Sequence, residues 1–106
     1  MEPSGDSDCP PAPIPNGALV RELPIINRKG LHARASAKFV QTVERFDADV
    51  TVTRCGETVG GRSIMGLLTL GAAQGTTITV TAQGEDAQAC LDGIADLLAT
   101  RFGEDE

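Results

Sequence analysis

The hydrophobic pattern of this chain switches repeatedly between the period of a strand and that of a helix, which confines it to folds that mix the two. Leu19, Val20, Leu23, Ile25 and Ile26 make residues 19–26 an apolar run that reads as a strand. Pro24 lies inside it, and because proline cannot donate to a sheet ladder the strand is expected at a sheet edge. Asn27, Arg28, Lys29 and Gly30 then form a turn. Residues 33–46 carry Ala33, Ala37, Val40 and Val43 at helical spacing, joined by Phe39, with Lys38, Gln41 and Glu44 on the other side. Residues 47–54 alternate around Val50 and Val52, a strand signature, and Cys55, Gly56 and Glu57 turn the chain into a second short strand at 58–62.

Residues 63–69 are apolar and begin with Ser63, a good N-cap, so they read as a short helix. After a loop at 71–75, the β-branched run at 76–82 makes a fourth strand. Ala87, Cys90, Leu91, Ile94, Leu97, Leu98 and Phe102 share one stripe of a helix expected over 85–102. The order β-α-β-β-α-β-α predicts a two-layer α/β domain, a four-stranded antiparallel sheet with three helices on one face. At 106 residues the chain holds one such domain. Five of the six prolines (Pro3, Pro10, Pro11, Pro13, Pro15) fall in residues 1–18, which are expected to form a disordered leader to a folded unit at 19–106.

Net charge is −6 and only 3% of residues are aromatic, which argues against a nucleic-acid binder. No apolar run reaches the roughly 20 residues of a membrane span, and the N-terminal stretch has neither a basic nor an apolar signal region. A cytoplasmic location is expected. Residues 19–45 set six basic side chains against Glu22 and Glu44, a net +4, whereas residues 84–106 set seven acids against Arg101, a net −6. A locally basic segment on an acidic protein suits a small anion or an acidic partner surface. Cys9, Cys55 and Cys90 share no metal-ligand or CxxC spacing and are expected to stay reduced. With His32 as the single histidine, no metal site and no cofactor are expected.

The segment that carries chemistry is Gly30 to Ala37. Gly30 lets the chain turn, and His32 falls where the turn meets the helix beginning at Ala33. The first N–H groups of a helix have no intrahelical acceptors, and the helix dipole places about half a positive charge there. The backbone of Ala33 and Arg34 therefore offers donors to a phosphoryl group carried at that end, and the Arg34 guanidinium matches phosphate oxygens. The same field disfavours imidazolium, so His32 is expected to be neutral and nucleophilic. Taken alone, the pair reads first as two surface side chains at a helix start, because short motif matches often arise by chance. A small hydrolase is disfavoured, because the single histidine lacks a base partner and no nucleophile motif is present.

Residues 23–40 (LPIINRKGLHARASAKFV) resemble the active-site segment of the HPr family, the histidine phosphocarriers of the phosphoenolpyruvate-dependent phosphotransferase system. Residues 60–70 (GGRSIMGLLTL) resemble that family's regulatory-serine segment, and residues 46–50 and 81–86 fall where the family has similar residues. The resemblance spans about residues 19–102 and implies an open-faced β-sandwich. It implies that His32 accepts phosphate on Nδ1 from an enzyme I-type protein and passes it to IIA-type acceptors, with Arg34 stabilising the phosphate. It also implies a relay protein with no turnover of its own. The family usually has proline after that arginine and this chain has Ala35, a good helix former that is less rigid.

The same likeness makes Ser63 a site for a regulatory serine kinase or phosphorylase, although an N-cap role explains the residue equally well. Ala37, Ile64, Met65 and Leu68 become candidates for a partner-docking patch, whereas Leu67 is expected in the core. The ending at 99–106 (ATRFGEDE) is similar to tails of the nitrogen-related branch of the family. A monomer is expected. A regulatory binding module controlled through Ser63, with an idle His32, is the alternative, and retention of both His32 and Arg34 speaks against it.

Overall fold

The computed structural model describes residues 17–104. Of the expected leader at 1–18, all but Gly17 and Ala18 lie outside the described residues, as does Cys9. The elements are β1 (Leu19–Pro24), α1 (Ala33–Glu44), β2 (Asp49–Arg54), β3 (Glu57–Gly60), α2 (Ile64–Thr69), β4 (Thr77–Gln83) and α3 (Ala87–Ala99), followed by a 3-10 turn at Arg101–Gly103. The sheet order is β1-β4-β2-β3 and every pairing is antiparallel. β1 pairs with β4 alone, so Pro24, opposite Thr77, sits on an edge strand where its missing donor costs nothing.

Cross-strand register explains which residues make the core. Leu23 lies opposite Ile78, Val52 opposite Val80, and Val50 opposite Ala82, and all six are buried. This row faces Ala35, Phe39 and Val43 of α1 and Cys90, Leu91, Ile94 and Leu98 of α3 in one apolar cluster. The neighbouring row is built of threonines (Thr51 opposite Thr81, Thr53 opposite Thr79), which suit a half-covered sheet face. Three helices on one face of a four-stranded antiparallel sheet is the architecture the periodicity predicts.

Three local expectations change. The buried stripe of α1 runs through Ala35, Phe39 and Val43 with Ser36, Val40 and Thr42, leaving Ala33 exposed and Ala37 half-buried. Phe39, the largest side chain of the helix, sets the direction of burial, which small alanines cannot do. The last helix does not reach Phe102: it ends at Ala99, and Arg101, Phe102 and Gly103 follow with φ of 56°, 56° and 78°. Helical spacing keeps Phe102 on the apolar stripe, yet the chain reaches that buried position through a left-handed turn. Among the cysteines, Cys90 is free and buried, with burial first among the causes that push its thiol pKa up. Cys55, exposed in the β2–β3 turn where its sulfur is within reach of another thiol, is disulfide-bonded, which corrects the expectation of a reduced thiol.

Candidate functional site

The loop between β1 and α1 is built around Gly30. Its φ is +69°, and a Cβ there would stand 2.6 Å from the carbonyl oxygen of Ala72, so only glycine allows this approach. The approach lets Leu31 N–H donate to that carbonyl at 2.9 Å and ties the loop to the segment before β4. The Gly30 carbonyl accepts from His32 N–H at 2.9 Å and from Nδ2 of the fully buried Asn27 at 2.8 Å. His32 thereby enters α1 as its N-cap residue with extended backbone, φ −81° and ψ −175°.

The first bond of α1 runs from Ser36 N–H to the His32 carbonyl at 2.8 Å. The amides of Ala33, Arg34 and Ala35 precede it and have no acceptor within the helix, and no side chain caps this end. The N-terminus of a 12-residue helix thus presents free donors beside the one imidazole of the chain. Arg34 is exposed, and no acceptor among the described residues engages its guanidinium.

Sequence reasoning did not foresee what holds the imidazole. Its Nε2 makes a short contact with Oε2 of Glu104, 72 positions away. The other carboxylate oxygen, Oε1, accepts from Asn27 Nδ2 at 3.1 Å. Burial acts first and upward on the Glu104 carboxyl, but hydrogen bonds from His32 and Asn27 and the charges of His32 and Lys29 outweigh it and lower its pKa. The His32 side chain stays 27% exposed and that of Glu104 17%, so the ring is held but accessible. Glu104 is brought here by the left-handed turn, in which Phe102 is buried and Lys38 Nζ of α1 donates to the Phe102 carbonyl at 2.5 Å. The opposite charges of residues 19–45 and 84–106 were the available sequence signal for this meeting.

The second group of expected residues lies on α2, which packs against α1. Ser63 is exposed and caps α2, its Oγ accepting from Gly66 N–H at 2.9 Å. Met65 is 71% exposed and Ile64 39%, Leu68 is half-buried, and Leu67 is fully buried in the core. Among the described residues, no three His, Cys, Asp or Glu side chains gather as metal ligands, and no helix is long and apolar enough to cross a membrane.

The family model described as "PTS HPr component phosphorylation site" matches residues 19–100. Phosphocarrier protein HPr of Cupriavidus necator is 46% identical over 88 residues, covering 83% of this chain and 99% of that protein. Phosphocarrier protein NPr of Shewanella violacea is 40% identical over 86 residues, covering 81% of this chain and 94% of that protein. The crystal structure of HPr-C-His from Thermoanaerobacter tengcongensis superposes with a TM-score of 0.79 at 35% identity, covering 83% of this chain and 99% of that one. With its helix-start histidine, its sheet order and these likenesses, the chain belongs to the HPr family of phosphocarrier proteins of the phosphotransferase system.

Proposed function

We propose that this phosphocarrier accepts a phosphoryl group on Nδ1 of His32 from an enzyme I-type phosphoenolpyruvate-protein phosphotransferase and delivers it to IIA-type acceptors. The observation that carries this reading is the accessible imidazole at a helix start whose first three amides have no intrahelical acceptor. Phosphoryl transfer asks for position and charge stabilisation more than covalent help. The Ala33 and Arg34 amides and the Arg34 guanidinium supply both. The phosphorylated ring is a carried intermediate, so the protein is a substrate of its partners and turns over nothing alone.

Ala37, Ile64, Met65 and Leu68 form the proposed docking surface; the exposed, flexible Met65 suits several partners in turn. Ser63 is the proposed target of a serine kinase or phosphorylase. Its hydroxyl is exposed, and a phosphate there adds charge beside the docking residues without entering the core. The protein acts as a cytoplasmic monomer through its carrier domain at 19–106. Incubation with phosphoenolpyruvate and an enzyme I tests the central step. An acid-labile phosphate on the wild type and none on His32→Ala supports transfer. An unlabelled wild type overturns it in favour of a binding module controlled at Ser63.

A further inference from the structure

Resting on the reading of His32 as acceptor, the geometry points to Glu104 as the positioning residue that selects the reacting nitrogen. Its carboxylate holds the ring proton on Nε2, orients the imidazole and leaves the Nδ1 lone pair for the phosphoryl group.

A neutral imidazole has one N–H and one lone pair, and the partner of one nitrogen decides which is which. An ionised carboxylate can only accept, so its contact with Nε2 makes that nitrogen the donor. Nδ1 is then the nucleophile. No other described group bonds the ring. The carboxylate itself is firmly placed. Asn27, fully buried, divides its amide hydrogens between Gly30 O and Glu104 Oε1, so the carboxylate and the loop that carries His32 share one anchor. On the other side, Glu104 N–H donates to the Arg101 carbonyl at 2.9 Å, and Gly103, with φ of +78°, sits so close to Lys38 that a Cβ would meet Nζ at 3.3 Å. Two left-handed non-glycine residues cost about 1–2 kcal/mol each, a strain retained only where surrounding contacts enforce it.

In the transfer step the Nδ1 lone pair attacks the phosphorus of a donor protein's phosphohistidine. The P–N bond of the donor breaks and its electron pair remains on the donor's ring nitrogen. The His32 ring then carries Nδ1–P and Nε2–H with positive charge, and the hydrogen bond to Glu104 stabilises that charge as it develops. No proton leaves during the step, and onward transfer is the reverse. Glu104 works through the nitrogen remote from the phosphoryl group, so it orients the ring without blocking the attack.

The test uses the full chain with ¹⁵N-labelled histidine at about pH 9, where a free imidazole is neutral. Nitrogen shifts of wild type and Glu104→Gln should be those of a ring protonated at Nε2, because glutamine still offers an oxygen acceptor. In Glu104→Ala they should move toward a mixture of the two tautomers. Phosphoryl acceptance from phosphorylated enzyme I should slow on the order of ten-fold in Glu104→Ala and less in Glu104→Gln. Unchanged tautomer and rate in Glu104→Ala, or faster acceptance, overturns the role of Glu104 while leaving His32 as acceptor. Absence of label on the wild type overturns the acceptor reading itself.

Discussion

Lys38 of α1 donates from Nζ to the backbone carbonyl of Phe102 at 2.5 Å, so the helix that begins at His32 also holds the turn that returns Glu104 to it. The site is closed through backbone and side chain together, across the full span of the fold. Lys38→Met keeps the aliphatic stem and removes the donor. It should cost about 1 kcal/mol and accelerate amide hydrogen exchange at Gly103 and Glu104 more than in the sheet. Unchanged exchange there would mean that the turn does not depend on Lys38.

Arg101 is exposed and has φ of 56°, a conformation that suits glycine. Arg101→Gly relieves the local strain but frees the unfolded chain, and the balance should be a gain of about 0.5–1 kcal/mol. Urea denaturation reads it as a higher midpoint with the same slope. A lower midpoint would show that the arginine side chain contributes more than its backbone costs.

Ser63 caps α2 through Gly66 N–H. Ser63→Ala should therefore lose about 1 kcal/mol, whereas Ser63→Asp retains an acceptor and adds a charge favoured at a helix start. Equilibrium unfolding of the two variants checks the order. Equal loss in both would deny the hydroxyl a capping role.

The lowered carboxyl pKa of Glu104 gives stability a defined acid limb. Because the folded value lies below the unfolded one, the contribution is fully present above the ordinary carboxylate value and disappears as pH falls through the folded value. His32, Asn27 and Lys29 are the groups that depress it against the opposing effect of burial. Wild type should thus lose thermal stability more steeply with acid than Glu104→Gln, which has no carboxylate to protonate. Parallel acid limbs would contradict the assignment.

Much of the fold is legible in the sequence because its strands and helices obey clear periods. The edge position of β1 follows from Pro24 alone, and Ser63 announces the start of α2 by its residue type. Helix ends and burial directions are less legible. Ala33 and Ala37 lie on a plausible apolar stripe, yet Phe39 outweighs them once three dimensions decide what must be buried. The site divides along the same line. His32 and Arg34 are local to one helix start and can be read from a few neighbouring residues. Glu104 is joined to His32 only through tertiary structure, and the left-handed turn that delivers it, made by the non-glycine residues Arg101 and Phe102, has no local sequence signature. Asn27 looks like an ordinary turn residue until its burial and double donation are seen.

The most direct measurement is a phosphorus–nitrogen correlation on ¹⁵N-histidine protein after incubation with phosphoenolpyruvate and enzyme I. The phosphorus should couple to Nδ1 of His32, and the remaining Nε2 should still carry its proton toward Glu104. Phosphorus coupled to Nε2, or found on any other side chain, would contradict the account.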